Sequence, residues 1–83
     1  MERRCLIIDP SSMVRRVAAR IIRELGLDAL DAKTGQEGLD VCADRMPDAI
    51  MIDWTLPDMQ ADQFLNELDG ILARSNGVRP SRK

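Results

Sequence analysis

Three short apolar segments alternate along the chain with three longer segments in which apolar residues recur every three or four positions. The apolar segments cover residues 4–9, 27–32 and 49–52, and the longer ones begin near residues 12, 35 and 62. Short apolar runs bounded by Pro or Gly predict strands, and the alternation of apolar and acidic residues over 27–32 predicts a half-exposed strand at a sheet edge. The longer spacing predicts amphipathic helices. Strands that alternate with helices pair in parallel through right-handed crossovers. The order βαβαβα therefore predicts an α/β sandwich.

The first helical segment has the clearest periodicity. Ser11 or Ser12 is a suitable N-cap, and Gly26 is suitable just beyond the C-terminus. Four arginines lie mostly between the apolar positions, as in a helix with one face in solvent. The residues predicted to face the core are Met13, Val14, Val17, Ala18, Ile21, Ile22 and Leu25.

The other two helices have recognisable start signals. Thr34 and Glu37 have the spacing of a capping box, which predicts a helix over residues 35–45. Asp62 is a candidate N-cap for a third helix that stops near Gly77. The residues predicted to face the core are Leu39, Cys42 and Met46 in the second helix and Phe64, Leu65, Leu68, Ile71 and Leu72 in the third. We therefore expect one domain over residues 1–83, with its core at about residues 4–76 and a basic tail at 77–83.

Two carboxylates follow predicted strands. Asp9 ends the first, and Asp53 follows the third, an apolar run without alternation that predicts burial on both faces. Ligands of parallel sheets bind beyond the carboxyl ends of the strands. If the first and third strands are neighbours, the two carboxylates face one crevice, an arrangement that suits a hard divalent cation.

Composition narrows the function classes. The 83 residues are 45% hydrophobic and 31% charged, as in a small globular domain. No apolar run is long enough to span a membrane, and the net charge of -2 favours neither nucleic acid nor a membrane surface as partner. Cys5 and Cys42 lack metal or redox spacing, and there is no histidine. We expect a cytoplasmic protein that is not an enzyme, since phosphate-binding glycine loops, nucleophile elbows and zinc spacings are missing.

The segments "CLIIDPSSMVRR", "KTGQEGLDV" and "PDAIMIDWTLPDM" resemble, in order and spacing, the receiver (CheY-like) domain of two-component response regulators. The resemblance runs from Cys5 to about Leu72 and implies a receiver fold truncated to its N-terminal βαβαβα half, with strand order 2-1-3. It also implies a role in phosphorelay signal transduction, with a histidine kinase or phosphotransferase as partner.

The resemblance implies specific roles for three residues. Asp53 corresponds to the aspartate that accepts a phosphoryl group. Asp9, Asp53 and the backbone carbonyl of Thr55 would hold Mg²⁺. Pro10 stands where the family usually has a second acid, so we expect weakened Mg²⁺ binding and impaired phosphorylation. Gln60 and Ala61 also depart from the Asp and Gly that are common there.

With strand order 2-1-3, the third strand would lie at an open edge. An apolar unpaired edge is a template for another strand. We therefore expect a homodimer with the third strand or third helix at its centre, with exchange of elements or a different receiver-like partner as alternatives. Two further function hypotheses stay open: an interaction or dimerisation module that is not phosphorylated, and a fragment of a longer response regulator.

Overall fold

Three parallel strands and three helices alternate in the computed structural model, which describes residues 3–76. The elements are β1 (Arg4–Ile8), α1 (Ser12–Glu24), β2 (Asp28–Ala32), α2 (Gly35–Asp44), β3 (Ala49–Ile52) and α3 (Ala61–Asn76). The predicted bounds of β1, β2 and α2 differ from these by a single residue. The predicted stop at Gly77 and the basic tail lie outside the described residues.

The sheet has the order β2-β1-β3, with both pairs parallel. Leu6 at the centre of β1 lies opposite Leu30 of β2 and Ile50 of β3. β1 is buried along almost its whole length, whereas β2 and β3 are the two edges. The predicted order and the edge position of both outer strands are confirmed.

Local start and stop signals place the first two helices. The Ser11 hydroxyl accepts a hydrogen bond from the Val14 amide at 3.2 Å, and the Thr34 hydroxyl accepts one from the Glu37 amide at 3.1 Å. Gly26 follows α1 with a φ of 89°, a left-handed conformation that glycine adopts without steric cost. The Ser11 and Thr34 hydroxyls therefore satisfy amide groups at the helix starts that have no partner within the helix.

The predicted N-cap of α3 was wrong. The helix begins at Ala61, because the Gln60 carbonyl already accepts the Phe64 amide at 3.0 Å. Asp62 therefore lies inside the first turn, where its carboxylate accepts from the Gln63 amide at 2.8 Å. An acid in this position is still favourable, since it faces the positive end of the helix dipole.

The core has two parts, one on each face of the sheet. Alternate β1 side chains point in opposite directions, so Leu6 and Ile8 belong to one part and Cys5 and Ile7 to the other. The larger part contains Leu6, Ile8, Ala32, Leu39, Cys42, Leu56, Phe64 and Ile71. The smaller part contains Cys5, Ile7, Ala19 and Ile22, so α1 covers one face of the sheet while α2 and α3 cover the other.

The predicted burial of α1, α3 and β3 was only partly right, since Leu65 of α3 is 54% exposed. Ile22 is buried, but Met13, Val17 and Ile21 are 71%, 55% and 53% exposed. Met51 of β3, on the face of the sheet that α1 covers, is 50% exposed, and together with residues of α1 it lines a cavity of about 390 Å³. The reason is that α1 packs against β1 and β2, so the part of its apolar face that points toward the β3 edge meets no covering element within residues 3–76.

Candidate functional site

Asp9 and Asp53 lie at neighbouring strand ends. Ile8 and Ile52, the last residues of β1 and β3, are register partners, and each aspartate follows one of them. The Asp53 amide donates to the Ile8 carbonyl at 2.8 Å, and the Asp9 amide donates to the Ala32 carbonyl at 3.0 Å. The sheet therefore brings together two carboxylates that are 44 positions apart in the sequence.

Both aspartates line one cavity of about 240 Å³, together with residues of β1, α1 and β3. Each is partly buried, so the carboxylates border solvent and apolar side chains at once. The site is open to solvent on one side and lined by residues of the sheet on the other. The cavity is the crevice at the carboxyl ends of the strands that the sequence predicted.

Local hydrogen bonds orient the two carboxylates. Asp9 Oδ1 accepts from the Ser11 amide at 2.9 Å, a turn that leads directly into α1. Asp53 Oδ2 accepts from the Thr55 hydroxyl at 3.1 Å. The structure therefore places Thr55 beside Asp53, through its side chain. The role of its backbone carbonyl as a metal ligand stays a prediction.

Arg15 contacts the Asp9 side of the site through hydrogen bonds. Its Nη1 donates to the Asp9 carbonyl oxygen at 2.7 Å, and its Nε lies 2.8 Å from Asp31 Oδ2. The Arg15 side chain is 15% exposed and the Asp31 side chain 55% exposed, so solvent screens this ion pair from the Asp31 side. The periodicity of α1 places Arg15 on its solvent face. Nothing in the surrounding sequence indicates that Asp9, after β1, and Asp31, in β2, are its partners.

Asp58 ties the loop after Asp53 to α2. Its two carboxylate oxygens accept from the Gly35 and Gln36 amides, both at 2.9 Å. Slight burial acts to raise the pKa of Asp58, but the hydrogen bonds from Gln36 and Gly35 outweigh it and hold the pKa below its ordinary value. The partners lie 22 and 23 positions away, so sequence reasoning missed this contact.

Asp9 and Asp53 are the acidic side chains at this edge that fit a Mg²⁺ ion. Within the part of the chain that the structure describes, no group of three His, Cys, Asp or Glu side chains comes together as a metal site. Mg²⁺ nevertheless binds proteins through one or two carboxylates and keeps several of its waters. The pair of Asp9 and Asp53 meets that minimum. Pro10, in contrast, offers no side-chain oxygen next to Asp9.

Within residues 3–76, none of the helices combines the length and apolar character that crossing a bilayer requires. No protein-family model matches the chain.

Known proteins resemble the chain in sequence. It is 37% identical over 65 residues to the sensor histidine kinase CheAY of Helicobacter pylori, an overlap of 76% of this chain and 8% of that protein. It is 36% identical over 63 residues to the phosphate regulon transcriptional regulatory protein PhoB of Pseudomonas aeruginosa, an overlap of 76% of this chain and 28% of that protein. The chain thus spans less than a third of either relative.

Solved structures resemble the chain in fold. A response regulator receiver domain (CheY-like) from Methylobacillus flagellatus superposes with a TM-score of 0.78 at 24% identity, over 82% of this chain and 58% of that chain. The likeness in fold agrees with the likeness in sequence to signalling proteins. The chain belongs to the response regulator receiver (CheY-like) family of two-component systems.

Proposed function

We propose that this receiver domain takes part in phosphorelay signalling and that Asp53 accepts the phosphoryl group. The observation that carries the proposal is the position of Asp53 at the end of β3, where it shares a cavity with Asp9. The donor is a phosphohistidine on a kinase or phosphotransferase. Asp53 is then an acceptor in a transfer that another protein supplies, so we propose no independent enzymatic activity for the chain.

In the transfer, a carboxylate oxygen of Asp53 forms a bond to phosphorus while the bond between phosphorus and the donor nitrogen breaks. The nitrogen keeps the bonding electron pair, and the product is an acyl phosphate on Asp53. Thr55, at 3.1 Å, orients one carboxylate oxygen and leaves the other for attack. Arg15 and Ser11 hold the Asp9 loop beside it.

Asp9 and Asp53 are the side chains that would hold Mg²⁺, with the Thr55 carbonyl as a third ligand. When bound, the ion offsets the repulsion between the carboxylate and the phosphoryl group. Because Pro10 replaces a second acid, we propose that Mg²⁺ binding is weak and that phosphorylation is slower than in receivers with both acids. Cys5 and Cys42 are buried free thiols, in keeping with the cytoplasmic location that we also propose.

Intact mass after incubation with acetyl phosphate tests the proposal. We expect a phosphoryl adduct on the wild type that requires Mg²⁺, is lost with a chelator, and does not form on Asp53→Asn. Asp62→Asn is the matched control, because it removes a different exposed carboxylate and should keep the adduct. An adduct that persists in Asp53→Asn, or its absence from the wild type at high Mg²⁺, would contradict the assignment.

A second candidate function is self-association across the open edge of β3, with or without phosphorylation. The observation that favours it is a set of exposed apolar side chains around that edge, here called the β3-edge surface. It consists of Met13, Val17, Ile21, Met51, Trp54 and Leu65. Trp54 is 77% exposed and borders cavities on both sides of the sheet, so the surface is continuous around the strand.

We propose that a second copy of the chain covers this surface by pairing its β3 strand with the first. Such a pair satisfies the outward amides and carbonyls of both edges and buries apolar side chains on both faces. A different receiver-like partner and exchange of elements between protomers are the alternatives.

Sedimentation at several protein concentrations tests the dimer. Met51→Glu places a charge in the centre of the β3-edge surface and should give a monomer at concentrations where the wild type is a dimer. Lys33→Gln changes the net charge by the same amount on an exposed residue at the end of β2, the opposite edge, and should leave the dimer intact. A wild type that stays monomeric at the highest concentration excludes self-association, and a dimer unaffected by Met51→Glu moves the interface elsewhere.

A further inference from the structure

The loop between β3 and α3 is held on the N-terminus of α2 at two points. The first point is the Asp58 carboxylate, whose oxygens accept separately from the Gly35 and Gln36 amides at 2.9 Å. The Thr34 hydroxyl accepts the Glu37 amide at 3.1 Å, and the Thr34 carbonyl accepts the Gly38 amide at 3.0 Å. Asp58 therefore completes the set of partners for the amides of the first turn of α2.

The second point is the packing of Met59 on Gly35. A Cβ atom added at Gly35 would lie 2.6 Å from Met59 Cγ and 2.7 Å from its Sδ. No real side chain fits into that space without moving the methionine. Met59 packs in turn against the larger core cluster, and Leu56 of the same loop is a buried member of it. The loop thus has one polar and one apolar attachment, both on elements other than its own.

We propose that Asp58 is a positioning residue for the Asp53 site: by holding the loop on α2, it fixes Thr55 beside the Asp53 carboxylate. This inference rests on the proposed function, because it assigns Asp58 a part in the reaction of Asp53. Asp58 touches neither the phosphoryl group nor a metal ion. It acts through the two residues that separate it from Thr55.

The physical reason is the short stretch of chain between Thr55, which contacts Asp53, and Asp58, which contacts α2. Thr55 and Asp58 are joined by Leu56, whose side chain is buried, and Pro57, whose ring restricts its own φ. A loop with so few free torsions transmits a displacement of Asp58 to Thr55. Release of Asp58 would therefore move the Thr55 hydroxyl and carbonyl away from Asp53, and small misplacements of this kind lower reaction rates strongly.

Asp58→Asn is the direct test. The amide oxygen of Asn can accept a hydrogen bond, but its NH₂ group is a donor and would face an amide that is also a donor. We expect the rate of the Mg²⁺-dependent adduct with acetyl phosphate to fall about tenfold in Asp58→Asn. Asp62→Asn is the matched control and should retain the wild-type rate. Gly35→Ala displaces Met59 but keeps the backbone amide from which Asp58 accepts, and it should also slow formation of the adduct.

A purely structural role predicts a different pattern. If Asp58 only stabilises α2, Asp58→Asn lowers the melting temperature but keeps the wild-type rate at a temperature where both proteins are folded, and the proposal is overturned. Trp54, next to Asp53, provides a readout that does not depend on phosphorylation. Its emission should shift in Asp58→Asn and Gly35→Ala but not in Asp62→Asn.

This second readout separates the two proposals. If the wild type forms no adduct, the assignment of Asp53 as acceptor fails, whereas a Trp54 shift confined to Asp58→Asn and Gly35→Ala still supports the hold of Asp58 on the loop. Trp54 emission that is identical in all four proteins overturns the positioning role, whatever the adduct shows.

Discussion

Two helical glycines should respond in opposite directions to substitution by alanine. In a helix interior, Ala is more favourable than Gly by about 1 kcal/mol. Gly38 of α2 faces the core, where an added Cβ would lie 2.5 Å from Ile8 Cδ1 and 3.4 Å from Phe64 Cε1. Apart from its chain neighbours and the backbone of its own helix, the nearest described atom to a Cβ at Gly70 of α3 is Arg74 Nη1, at 3.4 Å. The same substitution therefore meets a packed core at one site and the end of a flexible side chain at the other.

The expected free energies of unfolding follow from these contacts. Gly70→Ala should stabilise the fold by about 0.5–1 kcal/mol, because Arg74 can move away. Overpacking a core costs about 1–3 kcal/mol, so Gly38→Ala should lose its propensity gain and leave the fold less stable by up to about 2 kcal/mol. Ile8 and Phe64 are fully buried, which leaves them little room to shift.

Urea unfolding followed by circular dichroism measures both changes at one protein concentration, since self-association would otherwise alter the midpoint. The variants should have the slope of the wild type and midpoints on opposite sides of it. A Gly38→Ala protein as stable as Gly70→Ala would refute the reasoning, because it would mean that the α2 contact with β1 and α3 is looser than these distances require.

Three further outcomes are expected. Gly26→Ala should destabilise the fold by about 1 kcal/mol in urea unfolding, because a φ of 89° strains any residue with a Cβ. Burial raises the pKa of the Cys5 and Cys42 thiols, so both should resist alkylation at pH 8 in the folded protein and react in urea; fast labelling without urea would contradict their burial. The pKa of Asp58 lies below its ordinary value of 3.8, so its contribution to stability should be complete above that pH and decline as the pH falls through the lower folded value. Asp58→Asn should remove that part of the acid dependence, and an unchanged acid limb would contradict the hydrogen bonds to α2.

Local patterns were sufficient for the secondary structure. The alternation of short apolar runs with three- and four-residue spacing predicted six elements in the observed order. Ser11, Thr34 and Gly26 acted as predicted because a cap depends on residues within one turn of it. Asp62 was predicted as a cap because Asp is a preferred N-cap residue and Gln is not, yet the helix starts earlier, with the Gln60 carbonyl accepting the Phe64 amide.

The positions of Asp9 and Asp53 were predictable from the sequence, but the contacts made by Arg15 and Asp58 around them were not. Asp9 and Asp53 each follow a strand, and parallel strands carry their ends to one edge of a sheet. Arg15 and Asp58 were missed because their partners come from elements that are neighbours only after folding. A charged residue in a helix or loop has the same sequence signature whether it faces solvent or a distant backbone group.

The burial of apolar side chains also depended partly on the sequence and partly on the tertiary structure. The sequence by itself determined the periods of the strands and helices and the aspartate at the end of β3. It also determined that Met13, Val17 and Met51 are apolar, as core residues are. Only the tertiary structure decided that these three side chains stay exposed beside an open edge, and that Asp58 reaches α2. The physical reason is that periodicity describes one element at a time, whereas burial and long-range hydrogen bonds depend on which elements the sheet order makes neighbours.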